Sequence, residues 1–188
     1  MTWPFGDLQP LSYDLIMADC PWSFELYSEK GQAKSAQAKY ACMSVEDIAA
    51  LPVGHLAKKD AVLFMWATFP MLTDALLVMR SWGFRYCTGG AWQKRTVNGK
   101  PAFGTGYRLR SSVEPWLIGV VGRPITSRSH RNMIDGLARQ HSRKPDEAYR
   151  WCESYMPHAR RADLFAREKR EGWEAWGNEV GKFNMEAA

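Results

Sequence analysis

A chain of 188 residues, 46% of them hydrophobic, is the size of one domain with a real core, so a single domain over residues 1–188 is expected. No window approaches the roughly eighteen uninterrupted apolar residues of a membrane span, and the start, MTWPFGD, lacks the basic-then-apolar layout of a signal peptide, so a cytoplasmic protein with no membrane partner is expected. The 25 Lys and Arg against 20 Asp and Glu leave a net charge of +5, which suits a polyanionic partner without requiring one.

Residues Met1 to Ser12 contain Pro and Gly and read as an irregular segment. Leu15 to Ala18 then form a short apolar run, which suits a strand buried on both faces of a parallel sheet. The run stops at Asp19, and Pro21 cannot donate to a sheet ladder, so the strand ends there. A carboxylate is thereby expected at the carboxyl end of a central strand, where open α/β sheets bind ligands. The turn Asp19-Cys20-Pro21-Trp22 offers an acceptor side chain, a stiffly held carbonyl and a large aromatic face, which together suit a flat base with an exocyclic amine.

Ser28 to Ala41 is small and polar, with Lys30, Lys34 and Lys39, and cannot bury a core face. Its place beside the turn and the aromatic Tyr40 at its end suggest a lid over nucleic acid. Ser44 begins MSVEDIAALP, a capping pattern with Asp47 and a stop at Pro52. Ala61 to Ala67 is a second continuous apolar strand. Pro70 opens a helix in which Leu72, Ala75, Leu76, Met79 and Trp82 recur at helical spacing until Gly83. Phe84 to Gln93 and Pro115 to Val121 are further strands.

Lys94 to Ser112 is a long loop with Gly99, Pro101, Gly104 and Gly106. Its spacing is not GxxxxGK[ST], so it is no phosphate-binding P-loop. It reads either as a solvated loop or as a substrate-facing one, with Arg108 and Arg110 available for phosphates. Arg123 to Lys144 carries Arg123, Arg128, His130, Arg131, Arg139, His141, Arg143 and Lys144 opposed only by Asp135, and suggests the wall of a nucleic-acid channel. Pro145 sits at the start of a helix with Asp146 and Glu147 in its first turn and Ala148, Trp151, Cys152 and Tyr155 as its apolar stripe. Ala162 to Ala166 and Glu174 to Trp176 are the last strands.

The four cysteines, Cys20, Cys42, Cys87 and Cys152, form no CxxC pair and have no His at zinc-ligand spacing, so no metal site is expected. Strands alternating with helices, each strand followed by polar residues, indicate a doubly wound α/β sheet. No GxGxxG occurs, which disfavours a nicotinamide enzyme.

Several segments carry a resemblance in a fixed order. DCPW (Asp19 to Trp22) resembles a DPPW motif, Tyr40-Ala-Cys-Met-Ser44 resembles Tyr-Gly-Thr-Met-Ser, and Gly104-Thr-Gly-Tyr107 resembles a Gly-Thr-Gly-aromatic segment. Ser142-Arg-Lys-Pro-Asp-Glu147, Leu164-Phe-Ala-Arg167 and Trp176-Gly-Asn-Glu179 resemble Ser-x-Lys-Pro-Asp-Glu, Leu-Phe-Gly-Arg and Leu-Gly-Asn-Gln. The set resembles the DPPW-type, or MT-A, adenine-N6 methyltransferases that use S-adenosylmethionine. That family includes the catalytic subunit of the messenger-RNA N6-adenosine methyltransferase and its bacterial and phage relatives.

The resemblance implies a Rossmann-like methyltransferase fold with permuted motif order, the base-binding turn preceding the cofactor motifs. It implies that Asp19 and the carbonyl of Cys20 accept the two amine hydrogens of adenine, with Pro21 shaping the turn and Trp22 and Tyr40 stacking on the ring. It also implies cofactor contacts from Asp7, Leu8, Asp19, Lys144, Arg167, Asn178 and Glu179, although a surface turn explains Asp7 equally well. The expected activity is site-specific methylation of DNA adenine, with RNA as the alternative substrate and a catalytically inactive nucleic-acid-binding homologue as the alternative class. With no room for a separate target-recognition domain, the protein should have a short or loose sequence preference, or share the task across a homodimer.

The chain departs from the family pattern in three places. Cys20 replaces the first Pro of DPPW, Ala41-Cys42 replaces Gly-Thr, and Glu168-Lys169-Arg170 follows Arg167 where the messenger-RNA enzymes have Pro and His-Asn.

Overall fold

The computed structural model describes residues 2–23, 42–104, 106, 108–140 and 143–183. Its elements are β1 (Tyr13–Ala18), α1 (Val45–Ala50), β2 (Ala57–Trp66), α2 (Leu72–Ser81), β3 (Arg85–Arg95), β4 (Val113–Val121), β5 (Met133–Leu137), α3 (Asp146–Tyr155), β6 (Arg161–Leu164) and β7 (Trp173–Trp176). Short 3-10 turns at Val53–Leu56 and Phe69–Met71 lead into β2 and α2.

All seven strands join one sheet in the order β5-β3-β4-β2-β1-β6-β7. Every pairing is parallel except those of β4, which runs antiparallel to both β2 and β3. The period-2 alternation of strand side chains splits the core into two layers. Ile16, Ala18, Leu63 and Met65 pack with Ile48 of α1 and Val78 and Met79 of α2. Leu15, Met17, Val62, Phe64 and Trp66 face the other way, against Ala148 and Cys152 of α3.

The second layer is strongly aromatic. Phe64 stacks on Trp116 at 4.9 Å, and Trp116 meets Trp151 of α3 at 5.0 Å. A side chain at Gly90 would overlap the Trp116 ring and the Asn132 carbonyl, so a glycine in β3 is what lets that indole lie across the sheet. At the start of α1 the Ser44 hydroxyl accepts from the Asp47 amide at 3.0 Å and donates to its carboxylate at 2.8 Å, a working N-cap. Gly83, at φ 84°, ends the turn after α2.

The Rossmann-like α/β expectation therefore stands, and each expected strand and helix is present with ends moved by a few residues. Two features were not foreseen. The stretch taken as a channel wall contains β5, and β4 reverses the otherwise parallel order. Among the described residues no helix is long and apolar enough to cross a membrane.

The reversal decides what gathers at the ligand-binding edge. The parallel strands present their carboxyl ends there, so Asp19, Thr68, Lys94, Arg167 and Asn178 all lie just beyond or at strand ends. Because β4 runs the opposite way, it brings its start, Val113 and Glu114, to the same edge. β1 sits between β2, the next strand in the chain, and β6, to which the chain returns after α3. The gap between the ends of β1 and β6 is thus the point where the winding changes direction, the usual position of a ligand crevice.

Candidate active site

Asp19 faces a cavity in that gap, lined also by Met17, Trp66, Lys144, Asp163 and Arg167. Its Oδ1 lies 2.9 Å from Lys144 Nζ, and the same Nζ lies 2.7 Å from Glu114 Oε1. Glu114 Oε2 is in turn 2.7 Å from Lys94 Nζ. Two acids and two lysines therefore alternate along the edge, each lysine over an indole: Lys144 is 5.3 Å from the Trp66 ring centre and Lys94 is 4.9 Å from that of Trp92.

Burial raises the Asp19 carboxyl above its ordinary value, with Lys144 pulling it back and the nearby Glu114 adding to the rise. Glu114 moves the other way. Burial opposes its ionisation, but Lys144 and Lys94 together hold it down at about 2. Lys144 is held charged by the two carboxylates against the cost of its own burial. The Cys20 thiol is pushed well up, first by burial and then by Asp19 beside it, so it stays protonated and is a poor nucleophile.

The turn after Asp19 is closed by its own backbone. The Trp22 amide donates to the Cys20 carbonyl at 2.9 Å, leaving that oxygen one further lone pair. The Met43 amide donates to the Pro21 carbonyl at 3.0 Å, so the chain returns alongside the turn before entering α1. Trp22 is 5% exposed and packs in the layer with α1.

On the β6 side Asp163 is buried and accepts a hydrogen bond from the Tyr149 hydroxyl at 2.9 Å. Burial lifts its carboxyl to about 7, with the Tyr149 bond working against the rise. Phe165 follows with φ 61°, a left-handed conformation that a bulky side chain seldom adopts. That kink turns the chain under the end of β7, where the Ala166 amide donates to the Trp176 carbonyl at 2.9 Å. Arg167 Nε then reaches Glu179 Oε2 at 3.2 Å. Beyond it Arg143 pairs with Glu168 at 2.9 Å, and Arg170 bonds both Glu168 and Asp146 while lying 3.9 Å from the Tyr149 ring centre.

The donors on this edge are mixed in sign. The acids Asp19 and Asp163 and the bases Lys144 and Arg167 line one cavity, with Glu179 joined to it through Arg167.

Compared with known families, residues 13–179 match MT-A70. The chain belongs to the MT-A70 family. It is 29% identical over 195 residues to Type II methyltransferase M.MunI of Mycoplasma sp, covering 94% of this chain and 81% of that protein. It is 29% identical over 178 residues to an Arabidopsis thaliana protein, N(6)-adenosine-methyltransferase MT-A70-like, covering 90% of this chain and 24% of the other. It is 25% identical over 198 residues to N(6)-adenine-specific methyltransferase METTL4 of Homo sapiens, covering 94% and 40%. This MT-A70 chain thus spans most of M.MunI but less than half of the plant and human proteins.

Of the residues singled out in the sequence, the structure brings Asp19, Lys144 and Arg167 to one cavity and joins Glu179 to them through Arg167. Asn178 is exposed in the turn after β7. The N-terminal segment docks on that end of the sheet, Trp176 Nε1 donating to the Pro4 carbonyl at 3.0 Å, with Leu8 buried and Asp7 exposed. Arg108 and Arg110 are exposed, and Arg110 donates to the Gly106 carbonyl at 3.2 Å and lies over Phe103, so it braces its own loop. Tyr40 lies outside the described residues.

Part of the expected channel wall is committed internally. Arg139 pairs with Asp146, Arg143 with Glu168 and Lys144 with Asp19 and Glu114. Glu114, Lys94, Trp66 and Asp163 escaped the sequence reading. The signals available were an acid opening an apolar strand, in the case of Glu114, and an acid inside one, in the case of Asp163.

Proposed function

We propose that this MT-A70 protein is a site-specific DNA adenine-N6 methyltransferase that uses S-adenosylmethionine. The observation carrying the proposal is the position of Asp19, at the tip of β1 and facing the cavity between β1 and β6, with a second acceptor, the Cys20 carbonyl, next to it in the chain. The exocyclic amine of adenine is a poor nucleophile because its lone pair is delocalised into the ring. Asp19 accepts one amine hydrogen and the Cys20 carbonyl the other, which lets the nitrogen pyramidalise and expose its lone pair. Lys144 need not be left unpaired when Asp19 turns to the amine, because Glu114 holds the same Nζ at 2.7 Å. The raised pKa of Asp19 suits it to take up the proton that the methylated amine sheds.

The donor set fits the cofactor. S-adenosylmethionine supplies a methyl group carried on a sulfonium. Lys144 and Arg167 suit its carboxylate, Asn178 and Glu179 its ribose hydroxyls, and Asp7 and Leu8 its adenine. Pro21 shapes the turn, and Trp22 and Tyr40 stack on the target base once the covered face of Trp22 is opened. The permuted motif order belongs to the same reading, with the base-binding turn after β1 and the cofactor motifs that carry Lys144, Arg167, Asn178 and Glu179 after β5, β6 and β7. Arg108 and Arg110 serve the phosphate backbone.

DNA is favoured because M.MunI, a Type II methyltransferase, is a relative of which this chain covers 81%. RNA is the second reading, favoured by the adenosine methyltransferase names of the plant relatives. The test is transfer of a tritiated methyl group to matched DNA and RNA oligonucleotides by the wild type and by Asp19→Ala. The expected result is labelled DNA with the wild type and a loss of about a hundredfold or more with Asp19→Ala. Stronger labelling of RNA moves the assignment to that substrate, and a wild type no better than the variant while still binding DNA makes the protein an inactive binding homologue.

A further inference from the structure

Two buried polar atoms at the end of β2 have no hydrogen-bond partner: the Trp66 indole Nε1 and the Thr68 hydroxyl. Trp66 is 1% exposed and lines the Asp19 cavity. Thr68 occupies the N-cap position of the 3-10 turn Phe69–Met71, where a threonine hydroxyl ordinarily satisfies an amide of the turn. Here it makes no capping bond, and the turn is closed by the backbone, the Met71 amide donating to the Thr68 carbonyl at 3.0 Å. A buried hydroxyl without a partner is a standing cost to the fold, and it calls for an explanation.

The register gives one. β1 and β2 pair in parallel with Ala18 opposite Met65. β1 ends at Ala18; continued one and three residues past that pair, the register would set Asp19 level with Trp66 and Thr68 level with Pro21. Thr68 is extended, with φ −114° and ψ 150°, so two residues past Trp66 it faces the same side of the sheet as Trp66. On that register the unpartnered hydroxyl stands two residues beyond Trp66, which lines the Asp19 cavity, on the side of the sheet from which the turn bearing both proposed amine acceptors is reached.

Those acceptors alone recognise any primary amine. In adenine the amine is bonded to a ring carbon next to a nitrogen, N1, whose in-plane lone pair is an acceptor, so the edge to be read is donor then acceptor. Reading it requires a donor beside Asp19. Lys144 is tied to Asp19 and Glu114, whereas the Thr68 hydroxyl has its hydrogen to give.

We propose that Thr68 is a specificity residue of this site, its hydroxyl donating to the ring nitrogen beside the target amine while Asp19 and Cys20 hold the amine itself. The inference rests on the methyltransferase reading above. Its test is a cycle of enzyme and substrate, measuring kcat/KM for the wild type and Thr68→Val on oligonucleotides containing adenine or 1-deazaadenine, which lacks that nitrogen. Thr68→Val should lose about tenfold on adenine, the size of one neutral hydrogen bond, and nothing further on 1-deazaadenine. Thr68→Ser should restore activity on adenine, and cofactor affinity should be the same in all three proteins.

Equal losses for Thr68→Val on both substrates would sink the proposal, as would no loss on adenine. A fall in cofactor affinity would move the hydroxyl's ligand to the cofactor and equally overturn it. A wild type that methylates neither substrate overturns the methyltransferase reading and this one with it, a result distinct from the other three.

Discussion

Asp163 ionises far from its ordinary range, and the consequence for stability has a definite sign. Its carboxyl moves from 3.8 to about 7 because it is buried, although the Tyr149 hydroxyl donates to it and works against the rise. Between those values the folded protein keeps a proton that the unfolded chain has released. Stability therefore falls as the pH rises from about 4 to about 7 and levels off above that. Asp163→Asn cannot ionise and can still accept from Tyr149, so its melting temperature relative to the wild type should rise between pH 5 and pH 8. The same difference at both pH values would mean that Asp163 ionises normally. At this scale the sequence was legible where chemistry and chain break coincide, as at Asp19, where an apolar run meets an acid and then Pro21. It was not legible for Glu114 and Lys94, whose roles arise from their contact with each other and from that of Glu114 with Lys144, which only the folded sheet creates.

Gly177 shows how closely the elements behind the cavity fit. A Cβ there would lie 2.8 Å from both the amide nitrogen and the carbonyl oxygen of Ala166 and 2.9 Å from the Phe165 carbonyl carbon. All three are backbone atoms of the kinked turn after β6, so the neighbour cannot yield by a side-chain rotation. Gly177→Ala should force the ends of β6 and β7 apart, at a cost of about 1–3 kcal/mol, lowering the melting temperature and loosening the Arg167–Glu179 pair. Retained stability in a thermal melt would show that the two strand ends are not locked in this way. The strands themselves were readable because burial on both faces leaves continuous apolar runs, as in Leu15–Ala18 and Ala61–Ala67. The same property hid the direction of β4, since a strand apolar on both faces reads alike either way. β5 was missed for the opposite reason: in Met133–Leu137 only Ile134 and Gly136 are buried, too short an alternation to stand out within a basic stretch.

For the molecule as a whole, a net charge of +5 says less than where the charge is free to act. Arg139, Arg143 and Lys144 are bound to acids within the fold, whereas Arg123, Arg128 and Arg131 are exposed on the segment leading into β5. If that segment contacts duplex DNA, each phosphate neutralised releases counterions, and the dependence of log affinity on log salt steepens by about 0.9 per contact. Replacing Arg123, Arg128 and Arg131 together with Gln should then flatten the slope by about 2 to 3, measured by fluorescence anisotropy on a labelled duplex over a salt series. The weakening should be similar for unrelated sequences, because phosphate contacts carry no sequence information. Arg139→Gln serves as the contrast: losing its bonds to Asp146 and the Lys144 carbonyl should lower the melting temperature more than it alters the salt slope. An unchanged slope in the triple variant would place the DNA elsewhere, leaving the loop bearing Arg108 and Arg110 as the next surface to test in the same way.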